Sequence, residues 1–250
     1  MAAEPAGDPA RGAALMRRGR LIGVGVGPGD PDLLTLKAAR TIARVPVIAS
    51  INARGRPSRA RQAAAAHIAP GTRELAFAMP MTGDPDDSGP IYDVMATAIG
   101  AELDQGRDVA FLCEGDPLLY GSFIHLAQRM EGRYACEAIP GVAALSAAAA
   151  ATKCPLGSRD TPLVVLPATL PERQLEQLAA AASSIVVLKV GRHLAKVRGV
   201  LRARGFLDQA VLVENVGLPD ERIRRLSDVG DEVVGYFSLI LARRGDPGGA

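Results

Sequence analysis

The chain has 250 residues, 48% apolar and 22% charged, with a net charge of +2 and no tryptophan. That length suits one large α/β domain or two smaller ones, and the near-neutral charge gives no electrostatic case for a nucleic-acid partner. No run of about 18 apolar residues is present, which argues against a membrane span.

Residues 1–19 carry Pro, Gly and Arg without a continuous apolar stretch. They read as a flexible tail and not as a signal peptide. Arg20 to Val26 reads as a first strand, after which Asp30 and Pro31 supply an N-cap and a first-turn proline for a helix to about Arg44. Val45–Ile51 is a second strand, Ser58–Ile68 a second helix, and Glu74–Met79 a short third strand. The loop MTGDPDDSGP is all turn and breaker residues, and Pro90 starts a helix to about Gln105. Asp108–Cys113 is a compact strand, then EGDP and a helix to Met130, then a strand near Tyr134–Ile139. The Ala-rich stretch that follows PGV favours a closely packed helix.

CPLGSRD, residues 154–160, reads as a linker, after which the alternation restarts. Strand Leu163–Leu166, helix Glu172–Ala182, strand Ser184–Val190 and helix Leu194–Arg204 lead to three apolar runs at Ala210–Glu214, Arg222–Leu226 and Val233–Ala242. The fold class expected is α/β, with one domain over 20–153 and a second over 161–245.

LIGVGVGPGDPDLL, residues 21–34, has glycines at 23, 25, 27 and 29. A dinucleotide loop would need G-x-G-x-x-G, but Pro28 or Asp30 falls in the third glycine slot, and the second strand carries no carboxylate for a ribose. No Gly-Lys-Ser/Thr follows, so the loop is not a P-loop either. FLCEGDPLLYGS, residues 111–122, repeats the arrangement of strand, glycine turn and helix. Ligands of open α/β sheets gather at the carboxyl ends of strands, so both loops could border one cleft. Cys113, Cys136 and Cys154 lack CxxC spacing and His67, His125 and His193 are far apart, so no metal site is expected. The odd cysteine count suits a reducing, cytoplasmic setting.

GVGPGDPDLLTLKA, EGDPLLYGS and IPGVAALSAAAA, in that order and spacing, resemble the tetrapyrrole methylase family over roughly residues 20–242. The resemblance implies two α/β domains, a homodimer, and S-adenosylmethionine (SAM) in a cleft between them. CEGDPLLYGSF, VLPATLP, LKVGRHLAKVR and YFSLIL bring it nearest the branch that methylates C20 of precorrin-2 or cobalt-precorrin-2. It implies cofactor contacts at Pro28, Gly115, Asp116, Leu119, Tyr120, Ala143, Ala144, Val190 and Val216. Ala143 stands where many relatives carry a hydroxyl. The four opening glycines then serve ligand approach.

A substrate with eight carboxylates calls for cations, and Arg54, Arg56, Arg59 and Arg61 cluster after the second strand, with Gly27 on the opposite loop. Solvated charge is the plainer account of these arginines, of Lys189, Arg192 and Lys196, and of Arg222, Arg224 and Arg225. Tyr120, Glu114 and His125 are candidates for the group that removes the C20 proton. The alternatives are methylation at another ring carbon or SAM binding without turnover.

Overall fold

The computed structural model describes residues 18–53, 57–79, 89–230 and 232–244. Strands β1 (Leu21–Gly25), β2 (Val47–Ala53), β3 (Arg73–Met79), β4 (Val109–Cys113) and β5 (Cys136–Ile139) form a parallel sheet in the order β3-β2-β4-β1-β5. β1 and β4 are buried along their whole length, which is why they read as unbroken apolar runs. Alternation then sorts their side chains. Leu21, Val109 and Phe111 pack with α3 (Gly89–Asp104) and α4 (Phe123–Met130) on one face. Ile22, Val24, Ala110 and Leu112 pack with α1 (Leu36–Ile42) and α2 (Arg59–Ala63) on the other.

A second sheet holds β6 (Leu163–Pro167), β7 (Ser184–Leu188), β8 (Val211–Glu214), β9 (Arg222–Arg225) and β10 (Ser238–Arg243) in the order β6-β7-β10-β8-β9. Only β6 and β7 run parallel; β10 and β9 lie antiparallel to their neighbours. Helices α6 (Glu172–Ala180) and α7 (Leu194–Ala203) cover the face carrying Ile185, Val187, Leu212 and Ile240. Helix α5 (Ala144–Thr152), on the first-domain side of the expected linker, covers the other face, with Ala148 against Val186, Val213, Leu239 and Leu241. An Ala-rich helix has no polar face to turn to water, and its small side chains let it lie close to a sheet.

Several expected elements differ in extent, three of them for a visible reason. The first helix is split: Asp30 caps a 3-10 turn at Pro31–Leu33, and Thr35 accepts from Ala38 N at 3.1 Å to begin α1. With two caps five residues apart, Leu34 stays extended between them. The second helix ends at Ala63 and passes into a 3-10 turn at Ala65–His67. The last strand starts at Ser238, not Val233, which leaves Tyr236 and Phe237 in a loop. Most of the breaker-rich loop, residues 80–88, lies outside the described residues. Of the arginines of β9, Arg224 is accounted for by pairing: it reaches Glu214 at 2.7 Å and also Glu232.

Candidate active site

The order β4-β1-β5 sets three strand ends side by side, and the loops leaving them touch backbone to backbone. Gly115 N donates to Gly27 O at 2.7 Å and Val26 N to Cys113 O at 2.9 Å. Gly27 and Gly115 turn there with φ of 76° and 66°, which other residues adopt only under strain. A Cβ on Gly25 would lie 2.5 Å from Gly141 N and 2.6 Å from Gly115 O, so neither loop could stay where it is.

Three of the opening glycines, expected to serve ligand approach, have close protein neighbours of their own. A Cβ on Gly23 would strike the Phe123 ring at 2.6 Å, so this glycine lets α4 onto the sheet. Gly25 admits the neighbouring loops, and Gly29 admits Leu218 of the second unit, 2.5 Å from where its Cβ would stand. Gly23, Gly25 and Gly29 thus serve packing within the chain, and Gly27 its positive-φ turn.

Asp116 organises the loop after β4. One carboxylate oxygen accepts from Leu118 N at 2.9 Å and the other from Gly141 N at 3.1 Å, tying the β4 and β5 loops together. Above this knot lies a cavity of about 150 Å³ between the two units. The first unit contributes Pro28, Arg59, Glu114, Gly115, Asp116 and Leu119, and the start of α5 contributes Ala143, Ala144 and Leu145. The second contributes Leu188, Lys189, Asn215, Val216 and the segment Tyr236–Leu239. A larger hollow of about 610 Å³ opens at the opposite ends of the first sheet's strands. It lies away from the glycine loops, and Arg20 on its wall is already paired with Asp108 at 2.6 Å and Glu137 at 2.9 Å.

Arg59 spans the two units. Its guanidinium lies 3.8 Å from the centre of the Phe237 ring, and its Nη1 donates to Asn215 Oδ1 at 3.0 Å. Asn215 holds a left-handed backbone at φ 52°, and its Nδ2 donates to Asp220 at 2.8 Å. Lys189 and Tyr120 share that strained conformation, at φ 58° and 55°, and the Lys189 ammonium sits 5.7 Å from the Tyr120 ring. Strained residues cluster at binding sites, and of these three Lys189 and Asn215 line the cleft while Tyr120 stands beside Lys189.

Of the residues expected to contact the cofactor, Pro28, Gly115, Asp116, Leu119, Ala143, Ala144 and Val216 line the cavity. Val190 does not: it is 0% exposed within the second core, and Leu188 and Lys189 face the cleft instead. β7 ends at Leu188 and the chain bends at Lys189, which turns Val190 inward. Tyr120 stands outside the lining, beside Lys189, and Gly27 is a turn residue bonded to Gly115. His125 lies exposed on α4, its ring tilted 44° against Tyr92 at 5.1 Å, and does not line the cavity. Of the arginine cluster, Arg59 reaches the cleft whereas Arg61 turns to Glu74 at 2.9 Å; Arg54 and Arg56 lie outside the described residues. Lys196 donates to Leu170 O at 2.6 Å and does not line the cavity.

A profile of the tetrapyrrole (corrin/porphyrin) methylases matches residues 20–229. The chain belongs to the tetrapyrrole methylases. A precorrin-2 C(20)-methyltransferase from Sinorhizobium is 41% identical over 231 residues, covering 89% of this chain and 94% of that protein. A cobalt-precorrin-2 C(20)-methyltransferase from Salmonella typhimurium is 31% identical, covering 90% and 97%. The cobalamin biosynthesis protein CobIJ of Mycobacterium bovis is 41% identical, and the match covers 94% of this chain but 47% of that longer protein. Among solved structures, a uroporphyrin-III C-methyltransferase from Thermus thermophilus, in complex with S-adenosyl homocysteine, superposes with a TM-score of 0.67 at 26% identity, covering 90% of this chain and 97% of that one.

For this tetrapyrrole methylase the sequence reading missed Asn215, Tyr236 and Phe237. Asn followed by Val-Gly after an apolar strand is the same strand-to-turn signal that marks the first two loops, and it could have found Asn215. Tyr236 and Phe237 open the YFSLIL stretch that carries the resemblance, which marks the segment but not their place in the cleft. Ala143 holds the N-cap position of α5 at φ −70° and ψ 146°, with no side-chain cap. Ala143→Ser places a hydroxyl against the first-turn amides, and thermal unfolding is expected to report a gain of about 1 kcal/mol.

Proposed function

We propose that the protein transfers a methyl group from SAM to C20 of precorrin-2, or of its cobalt form, in corrin-ring biosynthesis. The carrying observation is the 41% identity, over 89% of the chain, to a protein bearing that activity in its name. The cleft fits the donor in character. Leu145, Leu188, Val216 and Leu239 offer an apolar wall, and the glycine and alanine turns bring backbone polar groups to its edge. An enclosed volume of 150 Å³ is below the roughly 300–1,000 Å³ usual for such ligands, so the donor extends into the mouth of the cleft.

Pro28, Gly115, Asp116, Leu119, Ala143, Ala144 and Val216 hold the donor in this reading, with Leu188 in the place expected for Val190. When bound, SAM supplies an electrophilic methyl on sulfur. The chain's part is to present the acceptor carbon in line with it and to keep water out. Among the described residues, Arg59 and Lys189 are the cations that line the cleft, and in this reading they meet substrate carboxylates. A homodimer and a cytoplasmic setting complete the reading, supported by family resemblance and by the three free cysteines.

Anaerobic incubation with methyl-labelled SAM and either compound tests it. Mass spectrometry is expected to count one methyl, and carbon NMR to locate it at C20. A methyl at another carbon, or bound SAM with no transfer to either compound, overturns the assignment.

A further inference from the structure

The C20 reaction releases one proton, because the carbon that gains the methyl already carries a hydrogen. Among the described residues that line the cleft, Glu114 and Asp116 are the carboxylates. Asp116 is occupied by the amides of Leu118 and Gly141. Glu114 leaves the end of β4 toward α2, where the backbone amide of Ala60 favours its charged form.

The other groups nearby are poor proton acceptors. Lys189 is a cation. The Tyr236 phenol is pushed up by burial and by the negative charge of Glu114, so it stays protonated and offers no phenolate to act as a base. The Cys113 thiol is buried under the strand end and kept protonated by desolvation, with the charges of Glu114 and Asp116 adding to it. Tyr120 and His125 do not line the cavity.

We propose that Glu114 accepts the C20 proton, from a position walled by Arg59 and Tyr236; this rests on the C20 reading above. A bond forms between C20 and the methyl carbon from the ring's π electrons, while the methyl–sulfur bond breaks with its pair left on sulfur. C20 is then tetrahedral and the ring carries one positive charge. The C20–H bond breaks, its electron pair restores the conjugated ring, and the proton passes to the Glu114 carboxylate.

The surroundings suit that task. Glu114 meets water through the cleft mouth, yet enough protein surrounds its carboxyl that desolvation raises its pKa above the ordinary glutamate value. The backbone amides of Glu114 and Ala60 and the charge of Arg59 pull it back. The groups facing it are Arg59 from α2, Tyr236 from the loop before β10, Lys189 from the end of β7, and Cys113 and Asp116 from its own strand and loop. Tyr92 of α3 reaches the same region through Tyr236. A base nearer neutrality accepts a proton more readily and is still ionised at working pH.

The test uses the full chain, SAM and the methyl acceptor under anaerobic conditions. In the wild type, kcat is expected to fall on an acid limb lying above the usual glutamate range. Glu114→Gln is expected to lower kcat by about 10²- to 10⁴-fold and to abolish that limb. Its SAM affinity by calorimetry is expected to stay within about threefold of wild type, as for a group acting only in the chemical step. Glu114→Asp should recover part of the rate, keep the limb, and show a larger isotope effect with C20-deuterated substrate. Arg59→Gln removes a positive charge and should move the limb to higher pH. Wild-type turnover in Glu114→Gln, persistence of the acid limb, or a loss of SAM affinity that accounts for the lost rate would each overturn the proposal. If the wild type itself places no methyl on C20, the functional reading fails and the proposal falls with it.

Discussion

Gly141→Ala lowers the melting temperature by about 10 °C and removes measurable SAM binding; this is the largest single-residue effect expected away from the reacting groups. The added Cβ would lie 2.1 Å from Gly115 O and 2.8 Å from the backbone of Gly25. All of these neighbours are backbone atoms of buried strand ends, so no flexible side chain can yield. Overpacking of this kind costs about 3 kcal/mol, which in a domain pair of this size corresponds to the stated temperature shift. The knot of the β1, β4 and β5 loops must spread, and the floor of the cleft spreads with it. Gly199→Ala is the control: it lies in α7 with nothing within 4 Å of a Cβ, and it is expected to gain up to about 1 kcal/mol from helix propensity. Differential scanning calorimetry and isothermal titration with SAM measure both. An unchanged melting temperature for Gly141→Ala would mean that the three loops are not in register contact.

Asp116→Ala is the second large effect, expected to cost about 3 kcal/mol of stability because two amides lose a charged acceptor. Leu118 N and Gly141 N each donate to a separate oxygen of this side chain, at 2.9 and 3.1 Å. Asp116→Asn keeps one oxygen but turns an amide NH₂ toward the other N–H donor, so it should recover only part of the loss. SAM affinity is expected to drop at least tenfold in both variants, as the β4 and β5 loops lose the bond that sets their spacing. Equal affinity in Asp116→Asn and wild type, by titration, would show that the loops hold their spacing without this carboxylate.

Much of the first sheet was legible because its central strands are buried on both faces and therefore contain little but apolar residues. The EGDP turn was legible for a related reason: a strand, a positive-φ glycine and an acidic residue ahead of a helix have few alternative uses. Extents were less legible. Asp30 and Thr35 both carry the cap signature, and only packing decides that both are used and that Leu34 stays extended between them. The register at the end of β7 was also hidden, since Leu188, Lys189 and Val190 differ in fate through one left-handed residue, and lysine seldom announces that conformation.

The sequence alone determined the α/β alternation and the loops at the ends of β1 and β4, because each rests on local spacing within a dozen or so residues, and the family resemblance, because each of its three motifs is a short contiguous run and their order along the chain can be read directly. It also placed seven of the residues that line the cleft, by way of that resemblance. Only the tertiary structure decided what the glycines are for, since the Phe123 ring, Gly141 and Leu218 approach them from distant parts of the chain. It likewise decided that Arg59 turns to Phe237 and Asn215, and that Glu114 and Tyr236 share one cleft. Such pairs are separated by more than a hundred residues, and no local pattern encodes which surfaces two folded sheets will bring together.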